Sequence, residues 1–144
     1  MDRLKKSKYV NILVFIAALF IMGMWSRFAP QRGVGLVLSE EALELSGPED
    51  FSVRIDFGDM AGLSLAGDEI DLGEMRKGVQ SREAWCGTWE NDRWGRYTLA
   101  IDPSIASYLV VEMSGGQTVV LNYESAEQTE SLHEALAALT AAQQ

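Results

Sequence analysis

The chain has almost no cysteine or histidine, and this scarcity argues against several classes of protein. Cys86 is the only cysteine and His133 the only histidine among 144 residues. A single cysteine forms no intrachain disulfide, so packing and strand pairing must hold the fold. No nucleophile-and-base motif and no metal-ligand cluster accompanies either residue in the sequence. We therefore expect no enzyme activity and no cofactor, and we expect His133 to lie on the surface of a helix.

Basic residues are scarce after residue 33. Residues 34–144 carry six basic and twenty acidic side chains, whereas residues 1–33 carry six basic and one acidic. A domain of this charge is repelled by nucleic acid and by anionic lipid surfaces, so we expect no nucleic-acid binding. Cationic partners are compatible with the same charge. The carboxylates of Asp68, Glu69, Asp71 and Glu74 could bind calcium, but their spacing is not that of an EF-hand, which favours a solvated loop.

Charge is absent altogether from Tyr9 to Trp25. As a helix this run would rise about 25 Å, which is near the lower limit for crossing a bilayer. Aromatic residues at its two ends suit the membrane interface. We predict a transmembrane helix over residues 9–26. A cleaved signal peptide is the alternative, but no A-x-A cleavage site follows the run.

The charges that flank this run predict its orientation. Four basic residues precede it, namely Arg3, Lys5, Lys6 and Lys8, and only Arg27 and Arg32 follow it closely. The excess on the N-terminal side favours a cytoplasmic N-terminus, residues 1–8. A linker, residues 27–33, would then join the helix to an extracytoplasmic domain. We thus expect a single-pass protein of the cell membrane.

Residues 34–144 have the pattern of a mainly β domain that ends in a helix. The clearest alternation is Phe51–Phe57, where apolar and polar side chains take turns. Ser114-Gly-Gly116 lies between two β-branched runs and predicts a hairpin. The other predicted strands lie at residues 34–38, 42–46, 60–65 and 95–101, and the hairpin strands lie at 107–113 and 117–123. Residues 67–78 are expected to form a polar loop, and the structure of residues 67–85 is the least determined by the pattern.

A C-terminal helix is predicted over residues 125–142. Ser125 and Gln128 fit a capping box, in which the serine hydroxyl accepts a hydrogen bond from the Gln128 amide. Leu132, Leu136 and Leu139 then form an apolar stripe on one side of the helix. We expect this stripe to pack against the strands.

Several residues between Trp85 and Leu139 carry a family resemblance. Gly87 and Gly95 enclose an aromatic stretch, and strands, a Gly-Gly turn and the helix follow in order. In these features the chain resembles the bacterial pleckstrin-homology domain family found in membrane proteins. The resemblance implies a seven-stranded barrel or sandwich, of two nearly orthogonal sheets, capped by the C-terminal helix. It also implies a binding or scaffolding module.

The resemblance does not carry lipid specificity with it. Lipid-binding relatives of the wider fold use a basic loop near the first hairpin. The corresponding region of this chain holds acidic residues, namely Glu40, Glu41, Glu44, Glu49 and Asp50. We therefore expect no phosphoinositide binding.

Aromatic and arginine side chains crowd into one stretch. Its members are Arg82, Trp85, Trp89, Arg93, Trp94, Arg96 and Tyr97. These residue types are enriched at binding hot spots, so the stretch is the candidate partner-binding surface. The alternative is that the aromatic rings line the core and the arginines stack on them.

These features together predict a non-enzymatic interaction or scaffold module that binds another membrane or envelope protein. The contact would use the tryptophan–arginine stretch or strand addition at a sheet edge. A small-ligand or lipid sensor is one alternative, and an accessory subunit of a membrane complex is another. The sequence does not indicate the oligomeric state.

Overall fold

The computed structural model describes residues 12–17 and 33–142. Within them the chain forms nine strands, a 3-10 turn and a C-terminal helix, and residues 12–17 are also helical. The strands are β1 (Gly35–Leu38), β2 (Ala42–Ser46), β3 (Ser52–Asp56), β4 (Met60–Gly67), β5 (Glu74–Gln80), β6 (Trp85–Asn91), β7 (Gly95–Ile101), β8 (Ser107–Met113) and β9 (Thr118–Leu121). The 3-10 turn is Phe57–Asp59, and the C-terminal helix is Ala126–Ala142.

The first three strands form a small antiparallel sheet in the order β1-β2-β3. Leu36 lies opposite Leu45, and Leu43 lies opposite Ile55, so these apolar side chains share one face. All four are buried. The strand predicted from the alternation over residues 51–57 is present as β3.

The remaining six strands form a larger sheet in the order β4-β8-β9-β7-β6-β5. Every neighbouring pair in it is antiparallel except β7 and β9, which run parallel with Leu99 opposite Val120. All four residues of β9 are buried. A strand covered on both faces shows a continuous apolar run rather than alternation, which explains the sequence Thr-Val-Val-Leu.

The large sheet has a hydrophobic core on each of its faces. The first core joins the small sheet, the large sheet and the C-terminal helix, and includes Leu38, Leu43, Leu109 and Leu136. The second core lies on the opposite face and consists of Trp89, Tyr97, Leu99, Ile101, Tyr108, Val110 and Val120. The segment between β4 and β5 covers part of the second core through Ile70 and Leu72.

The C-terminal helix covers one end of the first core. The Gln128 amide donates a 3.1 Å hydrogen bond to the Ser125 hydroxyl, as the capping box predicts. Leu132 and Leu136 are fully buried, and Leu139 packs against the same core. Burial of the two fully enclosed leucines contributes roughly 3 to 6 kcal/mol to folding.

The predicted seven-stranded barrel or sandwich is confirmed as a sandwich and corrected in its number of strands. The described residues form a sandwich of two sheets with nine strands, and the sandwich is not a closed barrel. The polar loop predicted over residues 67–78 is shorter in the structure, because β5 begins at Glu74, and β6 begins the tryptophan-rich stretch with Trp85 and Trp89. The mainly β architecture with a C-terminal helix is as predicted.

Most of the predicted transmembrane helix, residues 9–26, lies outside the described residues. Only residues 12–17 of that prediction can be compared with the structure, and these residues are helical. Across the described ranges, no helix is both long enough and apolar enough to cross a bilayer.

Candidate functional site

The sandwich leaves two strand edges unpaired near each other. In the described part of the chain, β3 is an outer strand of the small sheet and β5 is an outer strand of the large sheet. Nearly all side chains of β5 are exposed, on both faces of the strand. Unpaired edges offer backbone N–H and C=O groups to another extended chain. The two edges are therefore candidate sites for strand addition.

The hydrogen bonds around β3 show which of its backbone groups face outward. Gly47 N–H donates to the Phe51 carbonyl, and Phe57 N–H donates to the Glu41 carbonyl, both at 2.9 Å. In an antiparallel pair the bonded positions alternate with positions whose N–H and C=O point away from the partner strand. Residues 51, 53, 55 and 57 thus bond toward β2. The backbone groups of Ser52, Arg54 and Asp56 point away from it.

The same alternation identifies the outward groups of β5. Ser81 N–H donates a 2.9 Å hydrogen bond to the Ala84 carbonyl at the hairpin end. Since Val79 lies opposite Cys86 in the same register, residue 79 bonds toward β6. Gly78 and Gln80 occupy the alternate positions, so their backbone N–H and C=O groups point to the free edge.

A cleft of about 450 Å³ opens between β3 and the β5–β6–β7 side of the sandwich. Its lining residues are Pro48, Glu49, Phe51, Val53, Lys77, Gly78, Val79, Cys86, Gly87, Thr88 and Thr98. Most of the lining is apolar, and Lys77 and Glu49 supply the charged groups. The volume falls within the roughly 300–1,000 Å³ of small-molecule sites. The cleft is the candidate functional site.

A pair of glycines sets the close approach of β5 and β6 along the cleft. Gly78 lies directly opposite Gly87, and both have φ near +138° (138° and 137°). A Cβ at Gly78 would lie 2.0 Å from the Cys86 carbonyl oxygen, and one at Gly87 would lie 2.1 Å from the Lys77 carbonyl oxygen. No side chain fits either position. At these two positions the cleft is therefore lined by backbone atoms, because glycine has no side chain.

Cys86 lies in the lining of this cleft with its thiol almost fully buried. Burial raises the pKa of the Cys86 thiol to about 11. The thiol is therefore protonated at neutral pH and is a poor nucleophile. A Cβ on Gly47 would lie 2.8 Å from the Cys86 sulfur, so the β2–β3 turn packs tightly on it.

The turn at the mouth of the cleft has an unfavourable backbone. Glu49 and Asp50 both have left-handed φ angles, 58° and 62°, and Phe51 N–H donates to the Pro48 carbonyl. Two-residue hairpin turns with positive φ at both central positions favour Asn-Gly or Asp-Gly. A left-handed residue with a side chain costs about 1–2 kcal/mol, and this cost falls mainly on Glu49 because aspartate adopts the left-handed region more readily. Such strain is concentrated at functional sites in many proteins.

The structure divides the seven residues of the tryptophan–arginine stretch among three environments. Trp89 and Tyr97 are buried in the second core, and Trp85 and Trp94 are partly buried beside it. Trp85 stacks on Trp89 with ring centroids 6.3 Å apart. The exposed members are Arg82, Arg93 and Arg96.

Arg93 and Arg96 are placed differently with respect to the rings. Arg93 lies over the Trp94 ring, 5.4 Å from its centroid, which is a cation–π contact. Arg96 alternates with Tyr97 along β7, so the two side chains lie on opposite faces of the sheet. Burial of Trp89 and Tyr97 favours the structural role for those two rings.

Hydrogen bonds fasten the β4–β5 segment over the second core. The Tyr97 hydroxyl donates to the Leu72 carbonyl at 2.6 Å, and the Asn91 amide donates to the Asp71 carbonyl at 2.9 Å. Burial raises the pKa of the Tyr97 phenol, so it remains a donor at neutral pH. These bonds hold a polar segment in place above aromatic rings.

Two acidic side chains of this segment accept hydrogen bonds from backbone N–H groups. Glu69 accepts a 3.1 Å hydrogen bond from Gly67 N–H, and Asp71 accepts a 2.9 Å hydrogen bond from Gly73 N–H. Hydrogen bonds from its own N–H and from Gly67 lower the pKa of Glu69. Where the structure describes the chain, no group of three or more His, Cys, Asp or Glu side chains is arranged to hold a metal ion.

The cleft was not predicted from the sequence, although one signal pointed toward it. Strand β5 is exposed on both faces, so it lacks the apolar alternation that identifies strands. The signal was the symmetric placement of Gly78 and Gly87 around the Ser81–Ala84 turn. Glycines inside strands often mark a close backbone approach.

Comparison with known proteins finds no matching family model, no matching curated protein and no matching solved structure. The resemblance to bacterial pleckstrin-homology domains therefore stays a prediction.

Proposed function

We propose that this chain is a membrane-tethered, non-enzymatic module that binds an extended segment of another membrane or envelope protein. The segment joins the free edge of β5 as an added strand and places alternate side chains in the cleft. The observation that carries the proposal is the outward backbone of Gly78 and Gln80 beside an apolar cleft of about 450 Å³. Main-chain hydrogen bonds supply affinity in this binding mode, and side-chain pockets supply specificity.

The charge of the domain supports a cationic segment. Residues 34–144 carry twenty acidic and six basic side chains. Arg54 is paired with Glu44 and Asp56, and Arg76 is paired with Glu90 at 2.6 Å, so these basic groups are already neutralised. Complementary charge speeds association and rejects acidic competitors. The proposed partner segment is therefore extended, with lysine or arginine between its apolar positions.

Tethering to a membrane also supports the proposal. Two proteins in one bilayer have a raised effective concentration, so a single added strand with modest affinity is sufficient. The predicted anchor over residues 9–26 supplies this tether.

A peptide with alternating valine and lysine is the direct probe of the β5 edge. We expect the full chain to bind a labelled eight-residue peptide of this kind, and to bind the valine–glutamate peptide at least about tenfold more weakly. Fluorescence anisotropy measures both affinities. The two peptides have the same apolar residues, so the difference reports the net negative charge of the domain, since the cleft lining itself holds one basic and one acidic residue, Lys77 and Glu49.

Proline substitutions test the strand pairing without breaking the sheet. Gln80→Pro removes an outward N–H, and proline is tolerated on edge strands at such positions. We expect Gln80→Pro to weaken peptide binding at least about tenfold while thermal unfolding changes little. Ser52→Pro removes the equivalent N–H from the β3 edge and is the matched control. Unchanged binding in both variants would overturn strand addition.

The cleft volume favours a small ligand as a second candidate. A small apolar ligand needs the cleft but not the amide of residue 80. If the chain is a ligand or lipid sensor, a membrane lipid extract raises its melting temperature, and Gln80→Pro retains that increase. The binding module predicts no such increase.

A further inference from the structure

The helical residues 12–17 contact the β domain through one side only. Phe15 and Ile16 are partly buried and pack against the first core. Leu13 and Val14, in the same turns of helix, are 64% and 62% exposed. Equally apolar residues of one short segment therefore have opposite environments.

The pattern of burial follows helical geometry. Ile12, Phe15 and Ile16 are spaced i, i+3 and i+4, which places them on one face of a helix, and all three are partly buried. Leu13, Val14 and Ala17 lie on the remaining surface and are exposed. An apolar helix in uniform surroundings would show no such division. The division indicates that the β domain provides a docking surface for this face.

Docking and membrane insertion cannot use these side chains at the same time. Phe15 stands six residues after Tyr9, the start of the uncharged run. In a spanning helix it would lie about 9 Å inside the end of that run. The hydrocarbon layer is about 30 Å thick, and the polar surface of the domain does not enter it. Contact with the first core therefore requires the segment to be outside the bilayer.

We propose that the first core of the β domain is a docking site for its own apolar segment, and that this site competes with the membrane for Phe15 and Ile16. The docked state shields apolar side chains when no bilayer is available. In the inserted state the edge of the first core is left uncovered. The chain therefore has two positions for one segment, selected by the presence of lipid.

Paired serine substitutions in the full chain test the docked state. We expect Phe15→Ser/Ile16→Ser to lower the melting temperature of the domain in lipid-free buffer by about 3–8 °C. The matched variant, Leu13→Ser/Val14→Ser, removes similar apolar area from exposed positions and should shift it by about 1 °C or less. Equal shifts in the two variants, or no shift in either, would overturn the docking site.

Lipid vesicles test the competition. We expect vesicles of zwitterionic phosphatidylcholine to bind the wild-type chain in a flotation assay and to lower its melting temperature to that of Phe15→Ser/Ile16→Ser in buffer. Leu13→Ser/Val14→Ser should float less but keep the wild-type melting temperature in buffer. A chain that floats with vesicles while its domain melts as it does in buffer would show that docking and insertion do not compete.

Discussion

The two ends of the sandwich differ in how they are closed. At one end the C-terminal helix covers the first core, and Leu132, Ala135 and Leu136 have no exposed surface. At the other end β3 and β5 leave a cleft, a bare glycine pair and a turn with two left-handed residues. Among the described residues, two of the three left-handed residues that carry a side chain lie at the open end, and the third, Glu124, precedes the C-terminal helix. Natural proteins concentrate such departures from local structural rules where they function, which is consistent with the binding that we propose for the open end.

The largest expected effect is at the closed end. Leu136→Asp places a carboxylate in the first core, among the hydrophobic side chains that pack there. Burial of an unpaired charge is strongly unfavourable, so we expect loss of about 4 kcal/mol or more and an unfolded domain. Circular dichroism during thermal unfolding measures it. His133→Asp, three residues earlier in the helix at a partly buried position, is the control and should retain a cooperative transition. Normal melting of Leu136→Asp would contradict the role of the helix.

A smaller effect is expected at the open end. Gly78→Ala places a methyl group 2.0 Å from the Cys86 carbonyl oxygen at a positive φ. The β5–β6 pair must move apart, and we expect a loss of about 1–3 kcal/mol. The affinity for the valine–lysine peptide should fall by a larger factor than the loss of folded protein explains, because β5 provides the edge to which we propose the peptide binds. Gly58→Ala is the control, since no atom lies within 4 Å of its added Cβ. If Gly78→Ala is as stable as wild type, the backbones of β5 and β6 do not approach as closely as described at this position.

The smallest effect is a loss of stability at alkaline pH. The pKa of the Cys86 thiol is raised by burial from 9.0 to about 11 in the folded chain. The thiol ionises at a lower pH in the unfolded chain than in the folded chain. The contribution of Cys86 to the free energy of unfolding is therefore complete below pH 9 and is lost as the pH rises toward 11. We expect Cys86→Ala to make the free energy of unfolding less dependent on pH between 9 and 11. Urea titrations at several pH values measure the slope. Identical slopes in both proteins would show that Cys86 does not contribute.

The closed end was largely predictable from the sequence. The Ser125 cap, the leucine stripe and the hairpin around Ser114-Gly-Gly116 depend on residues close together in the chain, and each is present in the structure. Local patterns of this kind report the physical preferences of a short segment.

The open end was not predictable, because it depends on contacts between distant segments. No local pattern in the sequence indicates that the strands divide into two sheets or that β7 pairs in parallel with β9. The tryptophan–arginine stretch was identified as a candidate site, but residue types alone did not show that β6 and β7 turn Trp89 and Tyr97 into the second core. The cleft exists only after both sheets are packed.

The position of β9 has a consequence for the synthesis of the chain. β9 is the last of the described strands to leave the ribosome, yet it lies between β8 and β7 near the middle of the large sheet. Before Thr118–Leu121 is available, β4–β8 and β5–β6–β7 are two separate pieces with unpaired inner edges. Non-local pairing of this kind is slow and leaves strand edges open to aggregation. A nascent or truncated chain that ends before β9 would therefore be prone to aggregation and would depend on chaperones.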